Sequence, residues 1–182
     1  IGSELANWIV DGEPHIDLGE VDPRRFGAYA NKVFTGVKNK EAFGHNFGIH
    51  YPGYEWPAGR PAKTAPCYDR LTREGAVWGA VYGWEIPLWF APKGEEARDV
   101  WSYRTFNSMP HVGVECRAVR EGVGLYEMTP MSKFEVRGSG AENWLNQILA
   151  NRMPSKIGGI VLAHLLTNKG SVRCEFTVTR LG

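Results

Sequence analysis

Towards the end of the chain the side chains alternate, with Val172, Cys174, Phe176 and Val178 set against Arg173, Glu175, Thr177 and Thr179. A two-residue period of this kind predicts a strand with one apolar and one polar face. A second strand is predicted from roughly Ile160 to Leu166, joined to the first through Asn168-Lys169-Gly170, a plausible hairpin turn. Upstream, Trp144, Leu145, Ile148 and Leu149 share a helical face, Ser139 and Glu142 have the spacing of a capping box, and Pro154 is expected to end that helix. Phe134 and Val136 alternate with Lys133 and Glu135, which predicts a strand reaching a turn at Gly138-Ser139-Gly140. Val112, Cys116 and Val119 predict a helix ending at Gly122, with Glu115, Arg117, Arg120 and Glu121 on its solvated side. The order helix, strand, helix, hairpin reads as α+β.

The first half is patterned differently. Leu5, Trp8 and Ile9 share one face of a short helix that Ser3 can cap and that Gly12 and Pro14 end. Asp22-Pro23 then reads as an N-cap with proline at the first helical position, ahead of an apolar stripe of Phe26, Tyr29 and Val33. From Gly44 to Pro92 neither period holds, and the density of Gly, Pro and aromatic residues predicts loops and short strands packed by rings. Lys93 to Asp99 is the most polar window. A boundary is expected there, at Pro110 at the latest, with separate packed bodies on its two sides and Trp84 to Phe90 buried near the junction.

Composition adds limits. With 182 residues, 43% of them hydrophobic and 12% aromatic, the chain can bury a sizeable core in one or two domains. A net charge of +1 with 21 scattered basic residues gives no electrostatic reason to expect nucleic acid. No apolar run approaches the ~20 residues that span a bilayer, so no membrane partner is expected. Cys67, Cys116 and Cys174 are odd in number and far apart, which suggests neither a disulfide framework nor a zinc cage and points to a reducing compartment. His45 and His50 stand five apart in a Gly-rich stretch, without a third ligand at metal spacing and without a Ser or Cys partner that sequence identifies. No metal site is expected. Tyr51, Tyr54, Trp56, Trp78, Trp84, Trp89 and Phe90 either stack on a flat cofactor or pack a β-rich core or seam, and packing is the expectation at this density.

One run obeys no generic period: His50-Tyr51-Pro52, Arg60-Pro61, Ala65-Pro66-Cys67-Tyr68, Gly75-Ala76-Val77-Trp78-Gly79, and Gly83-Trp84-Glu85-Ile86-Pro87-Leu88-Trp89-Phe90. Its order resembles the central region of the FAD-dependent dimethylglycine and sarcosine dehydrogenases. Ile1 to Pro14 resembles the last helix of that family's FAD domain, and Val123-Gly124-Leu125-Tyr126 through Leu181 resembles the opening of its folate-binding, glycine-cleavage T-protein-like domain. The resemblance thus implies a fragment of a longer polypeptide. It implies α+β architecture throughout: 1–22 as the end of an FAD-binding domain with its connector, 23–95 as a β-rich central oxidoreductase domain, and 96–182 as the N-terminal part of the folate-binding aminomethyltransferase domain.

The same resemblance supplies candidate residues. Setting Gly170-Ser171-Val172-Arg173-Cys174-Glu175 against the T-protein pattern Gly-Gly-(apolar)-(apolar)-Asp-Asp places Glu175 on the second Asp, the acid that approaches the folate. Cys174 stands where the first Asp would be, and Leu162 where the family has a folate-contacting Tyr. Met131, in Thr129-Pro130-Met131, matches the methionine of a Ser-His-Met turn and either contacts the pterin or fills a core gap. Glu175 either serves folate chemistry or pairs with Arg173 or Arg180 on a solvated face. Gly2 and Ser3 begin a helix whose start lies near the flavin in the family, and otherwise form a plain capped helix.

The resemblance implies three alternative functions. The first is a flavin-dependent N-demethylating dehydrogenase that oxidises dimethylglycine, sarcosine or a similar amine with FAD and passes the one-carbon unit to tetrahydrofolate. The second is a folate-dependent aminomethyltransferase without flavin. The third is a folate-like module that has lost its pocket and acts in assembly, for which Leu162 and Cys174 speak. Expected partners are the small methylated amine and the rest of the same polypeptide. The expected compartment is the cytoplasm, or the mitochondrial matrix in a eukaryote.

Overall fold

Helix and strand are interspersed, as the periods require, in a computed structural model that describes residues 2–16, 18–19, 21–22 and 25–182. The chain packs as two units, one ending at Met131 and the other running from Ser132 to Gly182.

The first unit opens with α1 (Gly2–Asp11), which ends where Gly12, at φ +81°, returns its N–H to the Trp8 carbonyl. Ser3 lies within its first turn and is not its cap. The expected helix start at Asp22-Pro23 falls on Pro23 and Arg24, which lie outside the described residues; the Asp22 carbonyl accepts the Arg25 N–H. α2 (Lys32–His45) starts at Asn31, whose Oδ1 accepts the N–H groups of Val33 and Phe34 at 3.0 Å each. A short helix, α3 (Tyr68–Arg73), precedes a hairpin of β1 (Ala76–Val81) and β2 (Trp84–Phe90). Both turn residues, Tyr82 and Gly83, have positive φ, the conformation whose twist matches a right-handed hairpin. At Gly83 a side chain would meet the Tyr29 ring at 2.5 Å, so glycine is what lets Tyr29 lie against the turn.

The core of this unit is Val77, Trp89 and Ala91, covered by Val112 of α4 (Met109–Glu121). Trp89 is 3% exposed, donates its indole N–H to Asp99 at 2.8 Å, and stacks on His111 with 5.3 Å between ring centroids. Glu115 accepts the Phe90 N–H at 3.0 Å. The polar window before Pro110 is therefore no packing boundary: the helix beyond it sits on β2, and the division falls between Met131 and Ser132. The expectation that Trp84 to Phe90 is largely buried holds for Glu85 and Trp89, both within this one unit.

The second unit is α5 (Ala141–Ile148) with a hairpin of β3 (Ile160–Leu166) and β4 (Val172–Thr179), turning at Gly170 with φ +82°. Leu149, Met153 and fully buried Ala163 form its core, with Leu145, Ile148, Phe176 and Val178 packed around them. Three local expectations fail. Phe134 and Val136 form no strand and are exposed, because no neighbouring strand pairs with them. Gly140, not Ser139, caps α5, without a side-chain bond, and Glu142 reaches Arg180 instead. α5 stops at Ile148, where Leu149 turns extended and bridges to Leu165, well before Pro154.

Candidate functional site

The polar face of β4 carries Glu175, and the strand register sets it directly across from His164. His164 Nε2 lies 2.9 Å from Glu175 Oε2, and the two side chains are 36% and 60% exposed. An ionised carboxylate only accepts, so the imidazole carries the proton on Nε2 in this contact. Oε1 has no hydrogen bond among the described residues. Arg180 is committed elsewhere, donating to Glu142 at 2.8 Å and to the Pro154 carbonyl at 3.1 Å. Arg173 falls at an irregularity in the pairing, where Leu165 faces Cys174 and Leu166 faces Val172. Exposed Ile160, Leu162 and Leu166 share the face of His164, so the sheet face beside the pair is apolar on β3 and polar on β4. The free carboxylate oxygen of Glu175 can accept a hydrogen bond from a ligand N–H.

Met131 is 60% exposed, its N–H bonded to the Met128 carbonyl at 3.1 Å, and it fills no core gap. It closes the first unit, whereas Glu175 belongs to the second. Gly2 and Ser3 are exposed on the first turn of α1, and nothing lies within 4 Å of where a Gly2 side chain would start. No cradle surrounds them. The described residues do not build an FAD site.

The largest feature that sequence reasoning missed is the buried pair Arg60–Glu85. Glu85 is 2% exposed inside β2, and Arg60 grips it with Nε–Oε1 at 2.9 Å and Nη2–Oε2 at 2.6 Å. Glu55 stands 3.7 Å from the same guanidinium and also accepts the Ala80 N–H. The Glu85 hydrogen bond, outweighing burial, raises the Arg60 pKa further above its ordinary value. Lys63 ties in the backbone, donating its N–H to Gly83 and accepting that of Glu85, while its ammonium sits 4.5 Å from the Tyr29 ring and 4.9 Å from the Trp84 ring. A glutamate in an otherwise apolar strand was the available signal.

His50 Nε2 meets the His45 carbonyl at 3.0 Å, and both rings pack with Tyr54 and Trp56. The ring packing expected of the aromatic run is present here. Among the described residues no His, Cys, Asp or Glu cluster could hold a metal, and no helix is long and apolar enough to cross a membrane. The Cys67 thiol donates to Glu127, and that bond, with burial, pushes its pKa up.

Comparison with known proteins defines the class. Residues 67–182 match the GCVT N-terminal domain, to whose family the chain belongs, and residues 11–65 match the FAD dependent oxidoreductase central domain. Human mitochondrial dimethylglycine dehydrogenase is 36% identical over 98% of the chain and 21% of its own length. The formaldehyde-forming 4-methylaminobutanoate oxidase of Paenarthrobacter nicotinovorans is 31% identical over 100% of the chain and 22% of its own length. The mouse mitochondrial pyruvate dehydrogenase phosphatase regulatory subunit is 28% identical over 99% and 21%. The chain spans about a fifth of the length of the curated relatives it matches.

Proposed function

We propose that this chain is the central segment of a flavin-dependent N-demethylating dehydrogenase acting on dimethylglycine, sarcosine or a similar methylated amine. FAD supplies the oxidation and tetrahydrofolate takes the one-carbon unit, the hard chemistry being the cofactors' own. FAD is held by residues outside this chain, with Gly2 and Ser3 at most adjoining it. Glu175 and Met131 are the folate-side residues. Glu175 Oε1 takes the proton released as the one-carbon unit is accepted, a general-base role. The observation that carries this reading is the open carboxylate of Glu175 on the β4 face, in a chain whose two family matches combine a flavin enzyme's central domain with a folate domain. The match over residues 11–65 favours it over a flavin-free aminomethyltransferase. Its partners are the amine and the remaining domains of the same polypeptide, in the cytoplasm or the mitochondrial matrix.

The test is Glu175→Gln in the full-length protein, with methylated glycine and tetrahydrofolate supplied. Methylene-tetrahydrofolate per amine oxidised should fall by roughly the 10²–10⁴-fold of a positioned base, with free formaldehyde rising in its place. An unchanged product ratio rejects the base. A second reading, assembly without catalysis, draws on Leu162, Cys174 and the likeness to a protein named as a regulatory subunit. That same unchanged ratio would favour it.

A further inference from the structure

We infer that His164 is the positioning residue of Glu175: its Nε2–H holds carboxylate Oε2 and leaves Oε1 as the oxygen that takes a proton. The inference rests on the folate-side role proposed for Glu175. Three features of the hairpin lead to it.

The His164 carbonyl accepts the Ala150 N–H at 2.8 Å, so its backbone polar groups point away from β4. His164 and Glu175 are then a cross-strand pair without mutual backbone bonds, the kind whose side chains approach most closely. The strand that carries the imidazole is also anchored. β3 is tied on its outer edge through Ala150, through the Leu149–Leu165 bridge and through Asn151 Nδ2, which donates to the Leu162 carbonyl at 2.9 Å, and on its inner edge by β4. Finally, a glutamate side chain has one more rotatable bond than an aspartate, and a loose carboxylate spreads over several rotamers. The 2.9 Å contact removes that freedom at one oxygen only.

No other ionisable group takes this place. On β4 the same face offers Thr177 and Thr179, on β3 it offers Ile160, Leu162 and Leu166, and the flanking cations Arg173 and Arg152 make no ion pair among the described residues. The proton balance is simple: Oε1 gains the proton, Oε2 keeps its bond to the imidazole, and His164 neither gains nor loses one.

The experiment uses the full-length protein with two readouts, methylene-tetrahydrofolate formed per amine oxidised and the Kd for tetrahydrofolate titrated anaerobically without amine. His164→Leu should lower the folate product about tenfold or more, since misplacing a reacting group by even ~1 Å costs that much. His164→Gln, which keeps an N–H at similar reach, should stay within about threefold of the native ratio, and Kd should move by less than about threefold in both variants. Adding His164→Leu to Glu175→Gln should cause no further fall, because the two act as one unit. An unchanged product in His164→Leu beside a fall in Glu175→Gln overturns the positioning role and leaves the base standing. No fall in Glu175→Gln takes down the base and the positioning role together. A Kd that weakens in step with the product in His164→Leu makes His164 a binding residue and overturns the proposal, as does failure of His164→Gln to restore the ratio.

Discussion

The described residues hold two antiparallel two-stranded hairpins, each with a glutamate in one strand, and the two glutamates have opposite surroundings. Glu85 of β2 is 2% exposed and gripped by two bonds from Arg60, while Glu175 of β4 has a side chain 60% exposed and one oxygen bonded to His164. A carboxylate sealed in the first way is available to no ligand, and its partner must stay, because an uncompensated buried charge is costly. A carboxylate held in the second way keeps its lone pairs and its access to solvent. Position on a strand does not decide between structure and chemistry. Burial and the identity of the partner do.

The comparison breaks most visibly through stability. Arg60→Ala should cost about 3–5 kcal/mol by leaving Glu85 buried and unpaired, read as a drop in the urea midpoint. Glu175→Gln should stay within about 0.5 kcal/mol of the native protein by the same measurement. Equal losses in the two variants would erase the distinction. Replacing both partners, Arg60→Met with Glu85→Leu, should recover most of the loss, since apolar packing of similar volume can match a buried ion pair. Failure to recover would mean that Glu55 or the Lys63 backbone bonds depend on the charge itself. Asn31→Ala should cost about 1 kcal/mol by removing the acceptor for two N–H groups of α2.

A pH test sharpens the same contrast within the first unit. Burial alone would raise the Glu41 pKa, but hydrogen bonds from Lys38 and the Ala58 N–H together hold it below the ordinary carboxylate value. Its contribution is therefore fully present above the unfolded carboxylate pKa and is lost as pH falls through the lower folded value. Glu41→Gln should be less stable than the native protein near neutrality and should converge with it in acid. A gap that widens in acid would reverse the sign. Arg180→Ala should also have a small effect, since the surface pair with Glu142 is worth about 0.2–1 kcal/mol.

How much the residues foretold depended on whether local pattern or tertiary packing ruled. β3, β4 and the Gly170 turn follow the two-residue alternation and its turn chemistry, and α4 follows its apolar spacing to Gly122. Phe134 and Val136 alternate as well, yet alternation makes a strand only where another strand is there to pair. The cap of α2 at Asn31 was not legible, since an asparagine serves turns as readily as helix starts. Of the candidate site, the face and exposure of Glu175 were legible from alternation alone. His164 was not, because its place opposite Glu175 depends on register, and a one-residue slip would have sent it to the other face. Arg60 and Glu85 lie far apart in sequence, and only folding reveals them as partners.

The contact between Tyr29 and Gly83 makes two distant positions a matched lock. Because the ring occupies the space where any side chain at 83 would begin, Gly83→Ala does more than strain a turn at φ +81°. It evicts Tyr29 from the Lys63 ammonium and loosens the stretch ahead of Asn31, so a protease should register a substitution in the hairpin turn as new cleavage near residues 25–31. A second change that shrinks the ring, Tyr29→Ala, should make Gly83→Ala far better tolerated, leaving only the backbone strain of the turn as its cost.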